Sequence, residues 1–193
     1  MNLIDRESAL KTLKSGLPII FPTDTIPAIG CLPKFSNVIY KFKKRDKNKP
    51  LILMGSEQNQ LIDYVHESAK EDYKNIASNY WPGALTIVMP SSKKHSLILT
   101  SKDNTLGLRI PNSDIAQSLM KETGPLLTSS ANISGFTGSM TAEGIALDFP
   151  YVKILGPIPW EKSSCKASTI ISWKKSGDWR MIREGEVLVR ELY

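Results

Sequence analysis

Cysteine and histidine are almost absent from this chain, two of each in 193 residues. Cys31 and Cys165 form no CxxC pair and have no histidine beside them, while His66 and His95 each stand among polar residues. That leaves little material for a zinc centre, a disulfide framework or a histidine-based triad, and two reduced, buried thiols are expected. No apolar run approaches the roughly 20 residues of a spanning helix. The opening Met1-Asn-Leu-Ile-Asp-Arg6 lacks the basic-then-apolar order of a signal peptide. A cytoplasmic protein without membrane contact is therefore expected. Aromatic residues make up 8%, with no basic and aromatic interleaving of the kind that stacks exposed bases. The phosphate-binding strings GxxxxGK[ST] and GxGxxG are missing as well, so an ATP site here needs a different cradle.

What is present is ordinary in bulk. Hydrophobic content of 41% and charged content of 23% suit a soluble globular chain, and the length suits one domain spanning 1–193. The net charge of +6 favours a polyanionic partner, a nucleoside triphosphate, an RNA or both. Asp5 is read as the N-cap of a helix carrying Ala9, Leu10 and Leu13, ended at Gly16, and Ser36 as the start of a second helix. Ser68-Ala-Lys-Glu71 reads as a capping box opening a helix to Tyr80, stopped by Trp81-Pro82-Gly83. Further helices are expected from Ile115 to Gly124 and near 141–149. Strands are expected at 18–21, 51–54, 84–89, 106–110, 125–128, 151–155, 168–172, 180–182 and 187–189, with a polar loop over 91–104. Helices and strands alternate at first and strands accumulate later. This predicts an α/β fold with an open, twisted, mixed sheet and helices packed on it.

Two strings carry the strongest local chemistry. Lys41 to Lys49 is a dense cationic cluster that ends at Pro50, before the apolar run Leu51 to Met54. It reads either as the solvated end of a helix or as a phosphate-binding edge held against the core. In Gly124-Pro-Leu-Leu-Thr-Ser-Ser-Ala-Asn-Ile-Ser-Gly135 an apolar strand empties into hydroxyls, an amide and glycine, a composition that suits either a turn or an anion cradle. Pro22-Thr-Asp-Thr25 similarly follows a strand, where ligands of open α/β sheets bind. Arg109 lies between Leu108 and Ile110 on an expected central strand, and a desolvated guanidinium needs an anionic partner. No acidic residue is close in sequence. A ligand is therefore favoured over a structural salt bridge.

Taken together these segments resemble the YrdC (TsaC) family of threonylcarbamoyl-AMP synthases. The matching stretches are Phe21 to Gly30, Lys43-x-Arg45 with Lys49-Pro-Leu51, Trp81-Pro-Gly-Ala-Leu-Thr86, Leu108-Arg-Ile-Pro111, Ser129 to Gly135, Ala167-Ser-Thr-Ile170 and Arg183-Glu-Gly185. The resemblance implies a deep basic cavity in an open, twisted α/β fold. It also implies condensation of L-threonine, bicarbonate and ATP to threonylcarbamoyl-AMP and pyrophosphate, with Mg2+ carried on the triphosphate. Carried over residue by residue, Thr25 and Ser168 contact threonine, and Arg109 takes its carboxylate through a bidentate pair. Arg45, Lys49, Thr105, Asn132 and Arg183 contact ATP, and the backbone at Met140 closes over it. Lys43, Arg45 and Ser130 form the catalytic group, with Ser130 at the junction of the two substrates. A downstream threonylcarbamoyl transferase complex is the implied partner, and contact with tRNA or double-stranded RNA stays open. This chain departs from the family at Pro27, Ala28, Met54, Ser129 and Ala167. Two other readings are a non-catalytic RNA-binding protein of the same fold, acting in tRNA or rRNA maturation, and carbamoyl adenylation of the hydrogenase-maturation type.

Overall fold

The computed structural model describes residues 1–92 and 103–190. Its strands are β1 (Leu3–Ile4), β2 (Ile19–Phe21), β3 (Ala28–Cys31), β4 (Ile52–Met54), β5 (Leu85–Pro90), β6 (Thr105–Arg109), β7 (Leu126–Ser130), β8 (Lys153–Leu155), β9 (Thr169–Lys175) and β10 (Asp178–Arg183). They join in one sheet in the order β1-β8-β2-β3-β7-β4-β6-β5-β9-β10. β8 runs parallel to both β1 and β2, β4 to β6, and β5 to β9. The other neighbours are antiparallel, so the sheet is mixed. The helices are α1 (Arg6–Lys14), α2 (Asn37–Lys43), α3 (Gln58–Ile62), α4 (Lys70–Tyr80), α5 (Asp114–Thr123) and α6 (Ala142–Asp148). None of the described helices is long and apolar enough to cross a membrane.

Alternation along the strands sorts side chains into two cores. Ile19 and Phe21 of β2 pack with Ala9 and Leu13 of α1 and with Ala116, Leu119 and Met120 of α5. Ile20, between them, joins the larger core on the other face with Ile29, Ile39, Tyr73 and Ile76. Each fully buried Leu, Ile or Phe contributes about 1.5–3 kcal/mol by leaving water. Asp5 caps α1 as expected, accepting from Ser8 N at 2.8 Å.

Three local expectations are corrected. Ser68 does not open a capping box: His66 Nδ1 takes both the Ser68 amide and its hydroxyl, Glu67–Ala69 form a 3-10 turn, and α4 starts only at Lys70. Residues 187–189 form no strand, because the Thr169 hydroxyl occupies both the N–H and the carbonyl of Val187, at 3.0 and 2.6 Å. The thiols also differ: Cys31 is buried and pushed up to about 12 by desolvation, whereas Cys165 is exposed. Of the polar loop expected over 91–104, residues 93–102 lie outside those described.

Candidate functional site

α1 and α5 cover only one end of their face of the sheet. Beyond Met54, which closes that smaller core, the same face opens into a cavity of about 560 Å³. Its floor follows the period of a pleated strand. Ile52 and Met54 of β4, Thr86 and Val88 of β5, Thr105, Gly107 and Arg109 of β6, and Thr128 and Ser130 of β7 line it. The residues between them, Leu53, Leu85, Ile87, Leu106, Leu108 and Leu127, point into the larger core. The same strands thus hold the fold with one face and display hydroxyls, a glycine and an arginine with the other. Among the described residues, the cationic side chains in the wall are Arg45, Lys49, Arg109 and Arg183, against one carboxylate, Asp103.

Arg109 is 3% exposed. Its guanidinium donates to three groups from two distant segments: Nε to the Gly83 carbonyl at 3.1 Å, Nη1 to Thr25 Oγ1 at 2.8 Å and Nη2 to Asp24 Oδ1 at 2.6 Å. The structural salt bridge that the sequence reading disfavoured is therefore present. Asp24 is distant in sequence but is delivered by the turn after β2. Burial lowers the Arg109 pKa, the Asp24 charge raises it, and the charge of Arg183 lowers it again. The Pro22–Pro27 turn is itself fixed: Thr23 Oγ1 accepts from Thr25 N and donates to Ile26 O, and Pro27 O accepts from Ala131 N at 2.7 Å.

Lys43 lies elsewhere than the cationic cluster suggests. α2 ends at Lys44 in the left-handed region, φ 50°, which sends Lys43 inward while Arg45 reaches the cavity wall. Lys43 is 1% exposed and donates to Ser129 Oγ at 2.8 Å and to the Ser130 carbonyl, with longer contacts to Ser130 Oγ and Asn132 Oδ1 at 3.4 Å. The two strings singled out in the sequence are thus joined through one ammonium. Desolvation, with the Arg45 charge adding to it, lowers the Lys43 pKa to about 7. Arg45 in turn holds the connection to β4, donating to the carbonyls of Lys49 and Pro50 at 3.2 and 3.0 Å.

Thr25, Arg45, Lys49, Thr105, Arg109, Ser130, Ser168 and Arg183 all line the cavity. Lys43, Asn132 and Met140 do not. Asn132 is engaged in its own loop, donating to Phe136 O at 2.6 Å and Ile133 O at 3.1 Å while accepting from Ser130 and Lys43. Met140 precedes Thr141, the N-cap of α6.

The family model Sua5_yciO_yrdC, described as "Telomere recombination", matches residues 11–185. The chain belongs to the Sua5/YciO/YrdC family. A threonylcarbamoyl-AMP synthase of Buchnera aphidicola subsp. Baizongia pistaciae is 33% identical over 179 residues, covering 89% of this chain and 96% of the relative. One from Idiomarina loihiensis is 32% identical over 148 residues, 74% of this chain and 79% of its own. P. abyssi Sua5, solved in complex with L-threonine, superposes with a TM-score of 0.84 at 27% identity over 96% of this chain. This chain spans 58% of that one. E. coli YciO, with a TM-score of 0.82 at 22% identity over 99% of this chain and 98% of its own, shares the fold.

Within this Sua5/YciO/YrdC domain, sequence reasoning missed Asp24 as the partner of Arg109, Ser129 as an anchor of Lys43, and Thr86, Gly107 and Thr128 as part of the cavity floor. The signal was available in the alternation Leu85-Thr-Ile-Val-Met89 and Thr105-Leu-Gly-Leu-Arg109. One phase is uniformly apolar, and the other mixes hydroxyls, glycine and charge. The Ser129 hydroxyl anchors the lysine, accepting from Lys43 Nζ at 2.8 Å.

Proposed function

We propose that the chain is an L-threonylcarbamoyladenylate synthase, a nucleotidyltransferase that converts L-threonine, bicarbonate and MgATP to threonylcarbamoyl-AMP and pyrophosphate. The observation that carries this reading is the cavity itself: one strand-floored hollow presents a buried arginine beside Thr25 together with Arg45, Lys49 and Arg183. It therefore offers places for both a carboxylate and a polyphosphate. The names of the relatives and the threonine complex of P. abyssi Sua5 support it. Arg109 and Thr25 would hold the amino-acid carboxylate, and Arg45, Lys49, Thr105 and Arg183 the nucleotide. Lys43 and Asn132 would shape the Ser130 loop between the two substrates, and the Met140 backbone would close over the nucleotide.

The threonine amine forms a C–N bond to carbon and gives a carbamate. With CO2 the nitrogen loses a proton to solvent, and with bicarbonate the C–OH bond breaks and the hydroxyl leaves with that proton as water. The resulting carbamate oxygen attacks the α-phosphorus, and the bond to the β-phosphate oxygen breaks as pyrophosphate leaves with the electron pair. No side-chain nucleophile is required. The protein's work is to place two anions together and to neutralise charge on the leaving pyrophosphate, with Mg2+ arriving on the triphosphate. A threonylcarbamoyl transferase complex acting on tRNA would consume the product. The enclosed strand face suits small substrates better than a nucleic-acid duplex, which favours this reading over an RNA-binding role.

Pyrophosphate release from labelled ATP, with threonine and bicarbonate omitted in turn, tests the proposal. Release is expected only with both present, and release indifferent to threonine would sink it. The cavity floor gives a second test. A Cβ at Gly107 would meet Ile52 Cγ1 at 3.5 Å and Thr86 Cγ2 at 3.6 Å, ordinary contact distances. Gly107→Val is therefore expected to fold with a melting temperature within about 5 °C of the parent. Its two methyl groups project into the hollow and should weaken substrate binding at least about tenfold by calorimetry. Undiminished binding would place the substrates elsewhere.

A further inference from the structure

We propose that Thr86 is a positioning residue that turns the Ser168 hydroxyl into a hydrogen-bond donor aimed at the substrate carboxylate. The inference rests on the threonine reading of the cavity. A serine hydroxyl has one hydrogen and two acceptor lone pairs. Arg183 Nη2 approaches Ser168 Oγ at 3.2 Å, and because a guanidinium only donates, it takes one lone pair. Thr86 Oγ1 lies 2.9 Å from the same oxygen.

Thr86 is fully buried and meets the cavity floor through its Cγ2 methyl, 3.6 Å from where a Cβ on Gly107 would stand, and among the described residues its hydroxyl has no partner but Ser168. If Ser168 donated to Thr86, the Thr86 hydrogen would be buried without an acceptor, an arrangement that folded proteins avoid. Thr86 therefore donates, and the second lone pair is filled. The one valence left to Ser168 Oγ is its own hydrogen. Ser168 lines the cavity, so that hydrogen is available to a ligand there.

The backbone leaves Ser168 little freedom to escape this role. Its carbonyl accepts from Arg183 Nε at 3.1 Å and Nη2 at 2.8 Å. Gly185 packs so closely that a Cβ there would fall 2.5 Å from the Ser168 carbonyl carbon and 2.4 Å from Ala167 O, which only glycine avoids. A donor-only hydroxyl, in a wall that also presents Arg109 and Arg183, recognises an anionic oxygen and rejects an ammonium. The amino acid is thereby oriented with its carboxylate on this wall and its amine on the open side, where bicarbonate and the α-phosphate must meet it.

Thr86→Val keeps nearly the same shape and removes the donor, and Thr86→Ser restores it. L-Threonine binding by calorimetry and steady-state kinetics should show KM and Kd for threonine rising about tenfold in Thr86→Val, the scale of one lost hydrogen bond. The kcat and the KM for ATP should stay within about twofold, and Thr86→Ser should recover the parent values. L-Threoninol, which lacks the carboxylate, should bind parent and Thr86→Val equally. Thr86→Cys, a weaker donor of similar size, gives the same readout if the valine variant does not fold. Unchanged threonine affinity, failure of serine to restore it, or an equal loss with threoninol overturns the positioning role. A parent protein that binds no threonine overturns the reading of the site, and this inference with it.

Discussion

Arg109→Ala is expected to eliminate threonine-dependent pyrophosphate release and to lower the unfolding free energy by about 3–5 kcal/mol, the usual loss when one partner of a buried ion pair is removed. The stability loss follows from geometry, since the guanidinium ties β6 to the Gly83 carbonyl and to both Thr25 and Asp24. The functional loss follows from charge. A charge-assisted hydrogen bond to a carboxylate is worth about 1.5–3 kcal/mol. The two effects separate in Arg109→Lys, which keeps the charge but not the planar fork. That variant should remain folded, bind ATP within about threefold of the parent and lose threonine affinity by about tenfold or more. Parallel loss of ATP and threonine affinity in the lysine variant would reject the carboxylate assignment. Because Asp24 already holds Nη2 at 2.6 Å, the substrate carboxylate must share this arginine with a protein carboxylate. Removing Arg109 leaves two anions competing for a cation that is gone.

How far the sequence reveals this arrangement depends on the range of the interaction. Local signals are readable: the Asp5 cap of α1, the stop of α4 at Tyr80 before Trp81-Pro82, and the apolar phase of β6 all rest on neighbours within a few residues. The strand Ala28–Cys31 is not visible because four residues after a proline-bounded turn carry no period, and only pairing with β2 and β7 makes them a strand. The Ser68 capping box fails for a related reason. The motif was intact, but His66 offered a competing acceptor that the spacing rule ignores. Motif order delivered the family and most of the cavity wall. Whether a cation faces solvent, cavity or core depended on the left-handed residue Lys44 and on which loop lay opposite, neither of which the run of lysines encodes.

Lys43→Met should reduce the turnover number by about a hundredfold, the scale for misplacing a reacting group when a distant support is lost, because the Ser129–Ser130 turn and Asn132 lose the ammonium that joins them. It should also flatten the pH dependence of stability. The ammonium is at about 7 in the folded chain and 10.5 as the ordinary value. Between those limits the unfolded chain holds a proton that the folded chain has released, so unfolding free energy rises with pH across the window. The penalty for burying the charge is complete below about pH 7 and gone above about 10.5, amounting to on the order of a few kcal/mol. Urea titrations of parent and Lys43→Met at several pH values across this window isolate it, because other titrating groups are common to both. A difference independent of pH would show that the lysine is not depressed. The same cation then has a direct consequence for binding. Its described partners are hydroxyl, carbonyl and amide oxygens without a formal charge. A triphosphate brought close to it favours the charged form and draws a proton onto it. Calorimetry at pH 8 in buffers of different ionisation enthalpy should register proton uptake with ATP in the parent and less in Lys43→Met. Equal uptake in both would mean that the nucleotide does not sense this lysine, whose part would then be limited to holding the Ser129–Ser130 turn in place.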